Sequence, residues 1–449
     1  MTPVMAARKE QSVPRYTSYP TAPHFTPAVT ADLYGKWVQE LDPSRPLSLY
    51  LHVPFCQEMC WYCGCHTKVV ARYDPVARYA AALRAEIALL ADMLPGRFSI
   101  SHIHWGGGTP TMLSAEDFTA IMDDLRARFH IIGTAELAVE VDPRTIDAQK
   151  IAALAAAGIN RASLGVQDFS PDVQQAINRL QSFELTKQVT DDLRAAGIEK
   201  INFDLMYGLP RQTERDVLNT IDLAHLLEPD RIALFGYAHV PWMKSHMKMI
   251  REKELPDSDA RYHQAQQATV KLLNLGYRQI GLDHFARGDD AMVVALDAGR
   301  LKRNFQGYTV DDAAALIGIG ASAIGRLPQG YIQNAVSVRS YAEIVLAGRL
   351  PIARGIAMTE DDRLRAQVIE RLMCDFEVDL QAIARSFERA VDYFAPEIAA
   401  LAPFTEEGLL HFDGNRLKVL PEGRLLVRTI CAVFDSYLAG GTAQHSKAV

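Results

Sequence analysis

The chain has 449 residues, 49% of them hydrophobic and 22% charged, enough apolar material for a sizeable core. A formal net charge of −7 argues against a nucleic-acid partner. No apolar run is long enough to span a bilayer, and the first ten residues lack the apolar centre of a signal peptide. Length suggests about three domain-sized units, and the expected compartment is the cytoplasm, where thiols stay reduced.

Residues 1–45 carry little periodicity and read as an arm broken by prolines around Tyr16 and Tyr19. From residue 46 a strand-then-helix rhythm begins. Strands are expected at 46–53, 101–105, 137–141, 161–166, 201–206 and 231–237. Helices are expected at 79–94, from Ser114 to Phe129, at 147–157, through Ala196, and at 213–227. Six such units predict an α/β fold with a parallel sheet clothed in helices. Polar residues follow the strands repeatedly, which favours a barrel with its chemistry at the C-terminal strand ends over an open doubly wound sheet. Six units are too few to close an eight-fold barrel, so the expectation is an incomplete (β/α)6 TIM-like barrel with a lateral opening.

Past residue 240 the pattern loosens. A helix is expected at 259–275 and a further strand at 277–282. His284 to Arg287 and Asn304 to Thr309 are expected in long loops of the kind a compact domain keeps for function. Gly318 to Gly325 is glycine-rich and apolar. Thr359 should cap a helix through Met373. Further helices are expected at 380–387, 391–401 and 423–438, around a hairpin signalled by Asp413-Gly414-Asn415. A mainly helical, winged-helix-like module would suggest DNA binding. Residues 359–440 hold nine Lys or Arg against fifteen Asp or Glu, however, which is the wrong sign for phosphate. The expected divisions are therefore an arm at 1–45, a partial barrel with extension at 46–358, a C-terminal module at 359–440 that covers the barrel mouth, and a tail at 441–449.

Four of the six cysteines, Cys56, Cys60, Cys63 and Cys65, lie within ten positions. Such crowding binds a metal or makes a disulfide. The spacing lets a short loop wrap Cys56, Cys60 and Cys63 around one centre, and iron–sulfur clusters are held by Cys thiolates, usually four. With three ligands one iron keeps an open position, as a three-ligand catalytic zinc does. A zinc site, a ferredoxin-like loop and a disulfide pair remain as blander alternatives. Cys374 and Cys431 sit alone in apolar sequence and read as buried small hydrophobes. Gly106 to Pro110 follows a strand but lacks a P-loop Lys, so it is either a tight turn or a close backbone approach to a ligand. Glu140, in an apolar strand, needs a partner, which could be Arg161. Gln167, Arg179 and Asp204 are each ambiguous: Arg179 could be a helix-surface charge, and Asp204 a buried hydrogen-bonding group. His239 and His284 read as structural.

The cysteine spacing, with Tyr62 before Cys63, resembles the signature of the radical S-adenosylmethionine (SAM) superfamily. Cys65, Gly106 to Pro110, Tyr207-Gly208-Leu209-Pro210, His284 to Arg287 and Asn304 to Thr309 narrow the resemblance to the oxygen-independent coproporphyrinogen III oxidase family. The resemblance runs from the Tyr16 arm to the C-terminal module and implies the superfamily's six-unit barrel. It also implies a [4Fe–4S] cluster on Cys56, Cys60 and Cys63 and two SAM molecules per chain. Tyr50, Tyr62, Gly108, Glu140 and Ile324 match contacts to the first SAM. Thr109, Pro110, Gln167, Arg179 and Asp204 match contacts to the second, with Ala238 nearby, and Cys65 matches a catalytic position. The implied reaction converts two propionates of coproporphyrinogen III to vinyl groups in haem biosynthesis. A 5′-deoxyadenosyl radical takes a hydrogen from the propionate β-carbon, after which carbon dioxide and one electron leave. A flavodoxin- or ferredoxin-like donor, an unknown electron acceptor and a monomeric state go with it. The alternative within the superfamily is a haem chaperone, whose loop lacks the last cysteine.

Overall fold

A computed structural model describes residues 11–438. The first ten residues and the expected tail at 441–449 lie outside the described residues. Twelve strands form one sheet: β1 Leu47–Val53, β2 Ser99–Gly107, β3 His130–Val141, β4 Arg161–Gln167, β5 Lys200–Tyr207, β6 Arg231–Gly236, β7 Arg278–Ile280, β8 His284–Ala286, β9 Ala315–Ile319, β10 Ile324–Leu327, β11 Gly330–Asn334 and β12 Ile352–Ala357. Their order is β12-β11-β10-β9-β1-β2-β3-β4-β5-β6-β8-β7. The run from β9 to β6 is parallel throughout, and the flanking pairs are antiparallel.

The six expected parallel strands are all present, and each is followed by helix, so the incomplete barrel stands. Five helices follow the first five strands: α1 Asp74–Met93, α2 Ala115–Arg128, α3 Ala148–Ala156, α4 Phe183–Ala195 and α5 Glu214–Leu226. Their starts follow local chemistry. Ser114 accepts from Asp117 N, Asp147 accepts from Lys150 N, and Thr213 closes a capping box with Asp216. β6 carries a continuous apolar run, Ile232 to Phe235, whereas β1 alternates apolar residues with Ser48, Tyr50 and His52 although nearly all of it is buried.

The structure corrects the reading past residue 240. A seventh parallel strand, β9, pairs beside β1 in the glycine-rich stretch. The 284–287 segment is strand β8, antiparallel to β6, and not a long loop. The 304–309 segment belongs to a hairpin of Lys302–Asn304 with Gly307–Thr309. These strands are three to five residues long. That is too short for an alternating pattern to declare itself, and pairing with distant strands makes them.

In the C-terminal module Thr359 caps the helix Glu360–Asp375 through a capping box with Asp362. The expected hairpin pairs Leu410–Phe412 with Arg416–Val419, and a third strand, Glu377–Asp379, joins it. The expected 391–401 helix is instead two short helices, Ala395–Ala400 and Ala402–Glu406, each with a proline in its first turn. A proline that starts a helix cannot sit inside a longer one. The expected 423–438 helix is a 3-10 turn, Pro421–Leu426, and a short helix, Val427–Ala432. The module has its own core, built on Leu364, Leu372, Leu417 and Ile430, and the arm's Tyr16 and Tyr19 belong to it. Tyr16 donates to Asp435 at 3.1 Å, and the Tyr19 hydroxyl lies 2.9 Å from Ser436 Oγ. Cys374 and Cys431 are fully buried, as expected.

Candidate active site

The cysteine loop leaves the C-terminal end of β1. A two-residue parallel bridge, Phe55–Cys56 with Lys68–Val69, closes its base. Distant segments pin its backbone. Trp61 N donates to Ile177 O at 2.9 Å, Asn178 Nδ2 to Met59 O at 3.0 Å, and Lys244 Nζ to Cys65 O at 2.9 Å. His246 Nε2 lies 2.7 Å from Cys63 O. The loop is thus held in shape by the protein.

All six thiols are free, so the disulfide reading falls. The donors around the loop cysteines suit thiolate ligands. Thr67 Oγ1 donates to Cys56 Sγ at 3.0 Å. Arg144 Nη2 and Arg179 Nη1 reach Cys60 Sγ at 3.4 and 3.6 Å. Cys65 N donates to Cys63 Sγ at 3.4 Å. A hydrogen bond from the Cys65 thiol is the largest cause holding Cys63 down at about 7. Burial opposes it, and Lys244 and Arg179 assist. The same bond pushes the Cys65 thiol well up. Burial pushes Cys56 up.

A cavity of about 660 Å³ opens over this loop. It is lined by Cys56, Cys60, Tyr62, Cys63, Cys65, Gly108, Thr109, Glu140, Gln167, Arg179, Asp204 and Ala238. Twelve of the fifteen residues singled out in the sequence therefore face one space. Tyr50, Pro110 and Ile324 do not line it. Tyr50 stacks on His104 and lies 3.0 Å from His52 Nδ1 through its hydroxyl. Pro110 is buried in the turn after Thr109. Ile324 starts β10 beside Tyr331 and Phe305.

Glu140 does not bridge to Arg161, which pairs with Glu136 at 3.0 Å. Its carboxylate accepts from Gly107 N at 3.1 Å and lies 3.3 Å from His104 Nε2. It sits over Gly106, where a Cβ would come within 2.8 Å of Oε1. That glycine is what admits the carboxylate to the strand end. Asp204 is half-buried, with Ser163 Oγ donating weakly at 3.4 Å. Burial, and then Glu140, push its carboxyl up to about 7.

Arg179 is buried and is not a helix-surface charge. Nη2 donates to Gly165 O at 2.6 Å and to Gln181 Oε1 at 3.0 Å, and meets Asp142 at 3.3 Å. Its Nε has no hydrogen-bond partner, leaving a buried donor beside the cavity. Asp142 and Arg144, which the sequence did not single out, hold this corner. Arg144 Nη2 meets Asp142 at 2.7 Å as well as Cys60. The available signal was position: Asp142 directly follows β3, as the cysteine loop follows β1.

A second cavity, of about 790 Å³, adjoins the first. The two share Arg15, Cys65, Phe235, Gly236, Tyr237 and Ala238 as a common wall. The arm thus packs on the module through its tyrosines and reaches the site through Arg15.

A short cysteine loop at the end of β1 of an incomplete parallel barrel, over a cavity that gathers polar strand ends, defines a radical SAM enzyme. The Radical SAM superfamily model matches residues 50–224, and the HemN C-terminal domain model matches 358–426. The chain is 52% identical over 98% of both chains to an oxygen-independent coproporphyrinogen III oxidase of Bradyrhizobium diazoefficiens. A protein of that name from Paracoccus denitrificans is 43% identical over 97% of this chain and 96% of its own. The structure of the Escherichia coli coproporphyrinogen III oxidase HemN, a radical SAM enzyme, superposes with a TM-score of 0.90 at 38% identity, over 95% of this chain and all of that one. The chain belongs to the oxygen-independent coproporphyrinogen III oxidase family. A [4Fe–4S] cluster and SAM are its cofactors by membership of the superfamily. Among the described residues no helix is long and apolar enough to cross a membrane.

Proposed function

We propose that this chain converts two propionates of coproporphyrinogen III to vinyl groups, giving protoporphyrinogen IX in haem biosynthesis, without oxygen. The observation that carries the reading is the wall common to the two cavities. A tetrapyrrole in the larger space can bring a propionate to that wall while the cysteine loop and its cofactors occupy the other side. The relatives' names supply the substrate class.

Cys56, Cys60 and Cys63 would hold the cluster, which with SAM supplies the one-electron chemistry that takes a hydrogen atom from an unactivated carbon. The protein's part is placement. Thr67, Arg144 and Arg179 lower the cost of anionic sulfur in the interior by donating to it. Glu140, fixed by Gly107 N, would serve a first SAM with its carboxylate, beside Gly108. Tyr50, Tyr62 and Ile324 complete that assignment, with Tyr50 and Ile324 acting from outside the cavity lining. Gln167, Arg179, Asp204, Thr109 and Pro110, with Ala238, would serve a second SAM. Asp204 suits ribose hydroxyls, and the unsatisfied Nε–H of Arg179 suits an anion. Cys65 lines both cavities, within reach of cofactor and substrate alike. No residue need act as base for homolytic carbon–hydrogen cleavage.

The proposed divisions keep the boundaries 1–45, 46–358 and 359–440. The proposed setting is a cytoplasmic monomer fed by a flavodoxin- or ferredoxin-like donor. Anaerobic incubation of cluster-loaded protein with coproporphyrinogen III, SAM and a reductant should yield protoporphyrinogen IX. Binding of tetrapyrrole without turnover would favour the haem chaperone instead, a reading that Cys65 and the relatives oppose.

A further inference from the structure

The larger cavity is lined by four arginines, Arg15, Arg261, Arg303 and Arg428, and by three acids, Glu252, Asp257 and Asp283. Arg15 from the arm, Arg303 from the 302–309 hairpin and Arg428 from the C-terminal module all line it. Arg303 and Arg428 have side chains almost wholly withdrawn from solvent. Arg15 donates to Gly236 O at 3.4 Å, on the wall shared with the cysteine cavity. Asp283 is the acid common to all three. It lies 3.9 Å from Arg303 Nη1, and His284 Nδ1 engages it at 2.8 Å. Asp283 is thus already engaged by His284 where Arg303 approaches it.

The electrostatics agree. Burial lowers Arg15; Asp283 partly offsets this, and Arg303 lowers it further. Burial, followed by Arg15, brings Arg428 down to about 10. Burial alone would raise the Asp283 carboxyl, but His284, Arg303 and Arg15 hold it down at about 2. Arg15 keeps an exposed surface, whereas Arg303 and Arg428 are withdrawn from solvent, and a buried cation costs free energy unless an anion joins it. Arg303 also keeps two donors open. Its guanidinium lies over the Tyr308 ring, 4.4 Å from the centroid, and neither Nε nor Nη1 makes a hydrogen bond. A planar fork with free donors, held on an aromatic face, is the preferred receptor for a carboxylate.

We infer that Arg15, Arg303 and Arg428, converging on Asp283 in the larger cavity, form the anchor for propionate carboxylates of the tetrapyrrole that do not react. The inference rests on the proposed substrate and names the residues that recognise it. The three arginines come from arm, barrel extension and C-terminal module, so the anchor exists only when those parts are assembled. The 302–309 hairpin thereby gains a role, because its Tyr308 presents Arg303 to the cavity.

The test is equilibrium binding of coproporphyrin III, the fluorescent oxidised form, to cluster-loaded protein, with its tetramethyl ester as the neutral control. Wild type should prefer the free acid to the ester by at least a hundredfold. R303Q and R428Q should each weaken free-acid binding tenfold or more and leave ester binding unchanged. R303K should recover most of the loss, and the SAM-induced change in the cluster spectrum should persist in all variants. Equal binding of acid and ester by wild type overturns the anchor and needs no variant to fold. Variants that lose acid and ester binding alike overturn it too, because the defect is then structural. A wild type that makes protoporphyrinogen IX while both Gln variants keep its KM refutes the anchor alone. A wild type that neither binds nor converts the tetrapyrrole refutes the proposed function itself.

Discussion

Cys63 and Cys65 are one residue apart and have opposite tendencies, because one thiol donates to the other. That sets Cys65 apart from Cys63, while the ligand set Cys56, Cys60 and Cys63 rests on the loop spacing and the superfamily match. Replacing Cys56, Cys60 or Cys63 with Ala should abolish the cluster's visible absorbance and most of the iron. Cys65→Ser should keep iron and lose vinyl formation, and loss of iron there would make Cys65 a fourth ligand. Asp204→Ala should lower SAM stoichiometry from about two per chain toward one, measured by equilibrium dialysis, as the two-site assignment requires. The cysteines were legible from their spacing after β1, and Asp204, which lies within β5, from the family resemblance. Asp142 and Arg144 were not: their value lies in meeting Arg179 and Cys60, contacts that only the fold creates.

At the scale of elements, local chemistry read well and long-range pairing did not. The helix starts at Ser114, Asp147, Thr213 and Thr359 lie where the sequence puts them, since the cap that fixes each needs only three following residues. The six leading strands were found through their spacing. Strands β8 and β9 were not, because pairing with β6 and β1 defines them and their own few residues do not. The Tyr207-Gly208-Leu209-Pro210 turn after β5 shows what such a motif holds in place. Gly208 has φ +79°, and a Cβ there would come within 2.5 Å of Arg261 Nη1, so the glycine admits this guanidinium to the larger cavity's wall. Gly208→Ala should cost about 1–2 kcal/mol in backbone strain and push Arg261 into the cavity. The expected result is a KM for coproporphyrinogen III raised about tenfold if roughly 1.4 kcal/mol of binding is lost, with the SAM-induced cluster signal unchanged.

Across the whole molecule, Glu86 ties the first helix to the far side of the sheet. It accepts from Gly320 N at 2.7 Å, from Asn334 Nδ2 at 2.7 Å and from Tyr341 at 2.5 Å. Burial outweighs these bonds and pushes its carboxyl up to about 7. Asp168 and Asp204 are also raised to about 7, chiefly by burial. The folded state therefore keeps protons that the unfolded chain releases above about pH 4.5, near an ordinary carboxyl value. Stability should fall as pH rises from about 4.5 to 7 and then level off, by up to about 1.4 kcal/mol per pH unit for each group. Denaturant midpoints across that range should show a shallower slope in Glu86→Gln, and an identical slope would remove Glu86 as a cause.

The ends of the described chain meet in a clasp that joins stability to substrate binding. Tyr16 and Tyr19 are buried in the C-terminal module's core, one residue and four residues after Arg15. Their hydroxyls hold Asp435 and Ser436. The arm can place Arg15 on the shared wall only while this clasp is shut. Removing both hydroxyls, in Tyr16→Phe with Tyr19→Phe, deletes three hydrogen bonds, one to Asp435 and two to Ser436, worth roughly 1 kcal/mol each. It keeps the aromatic packing, so the module's core should survive. Part of that loss should appear as a several-fold higher KM for coproporphyrinogen III, while kcat at saturation and the SAM-bound cluster spectrum stay near wild type. Anaerobic steady-state assays over a substrate series separate the outcomes. A fall in kcat with KM unchanged would place the arm's role in the chemistry itself, against its position among the module's apolar side chains.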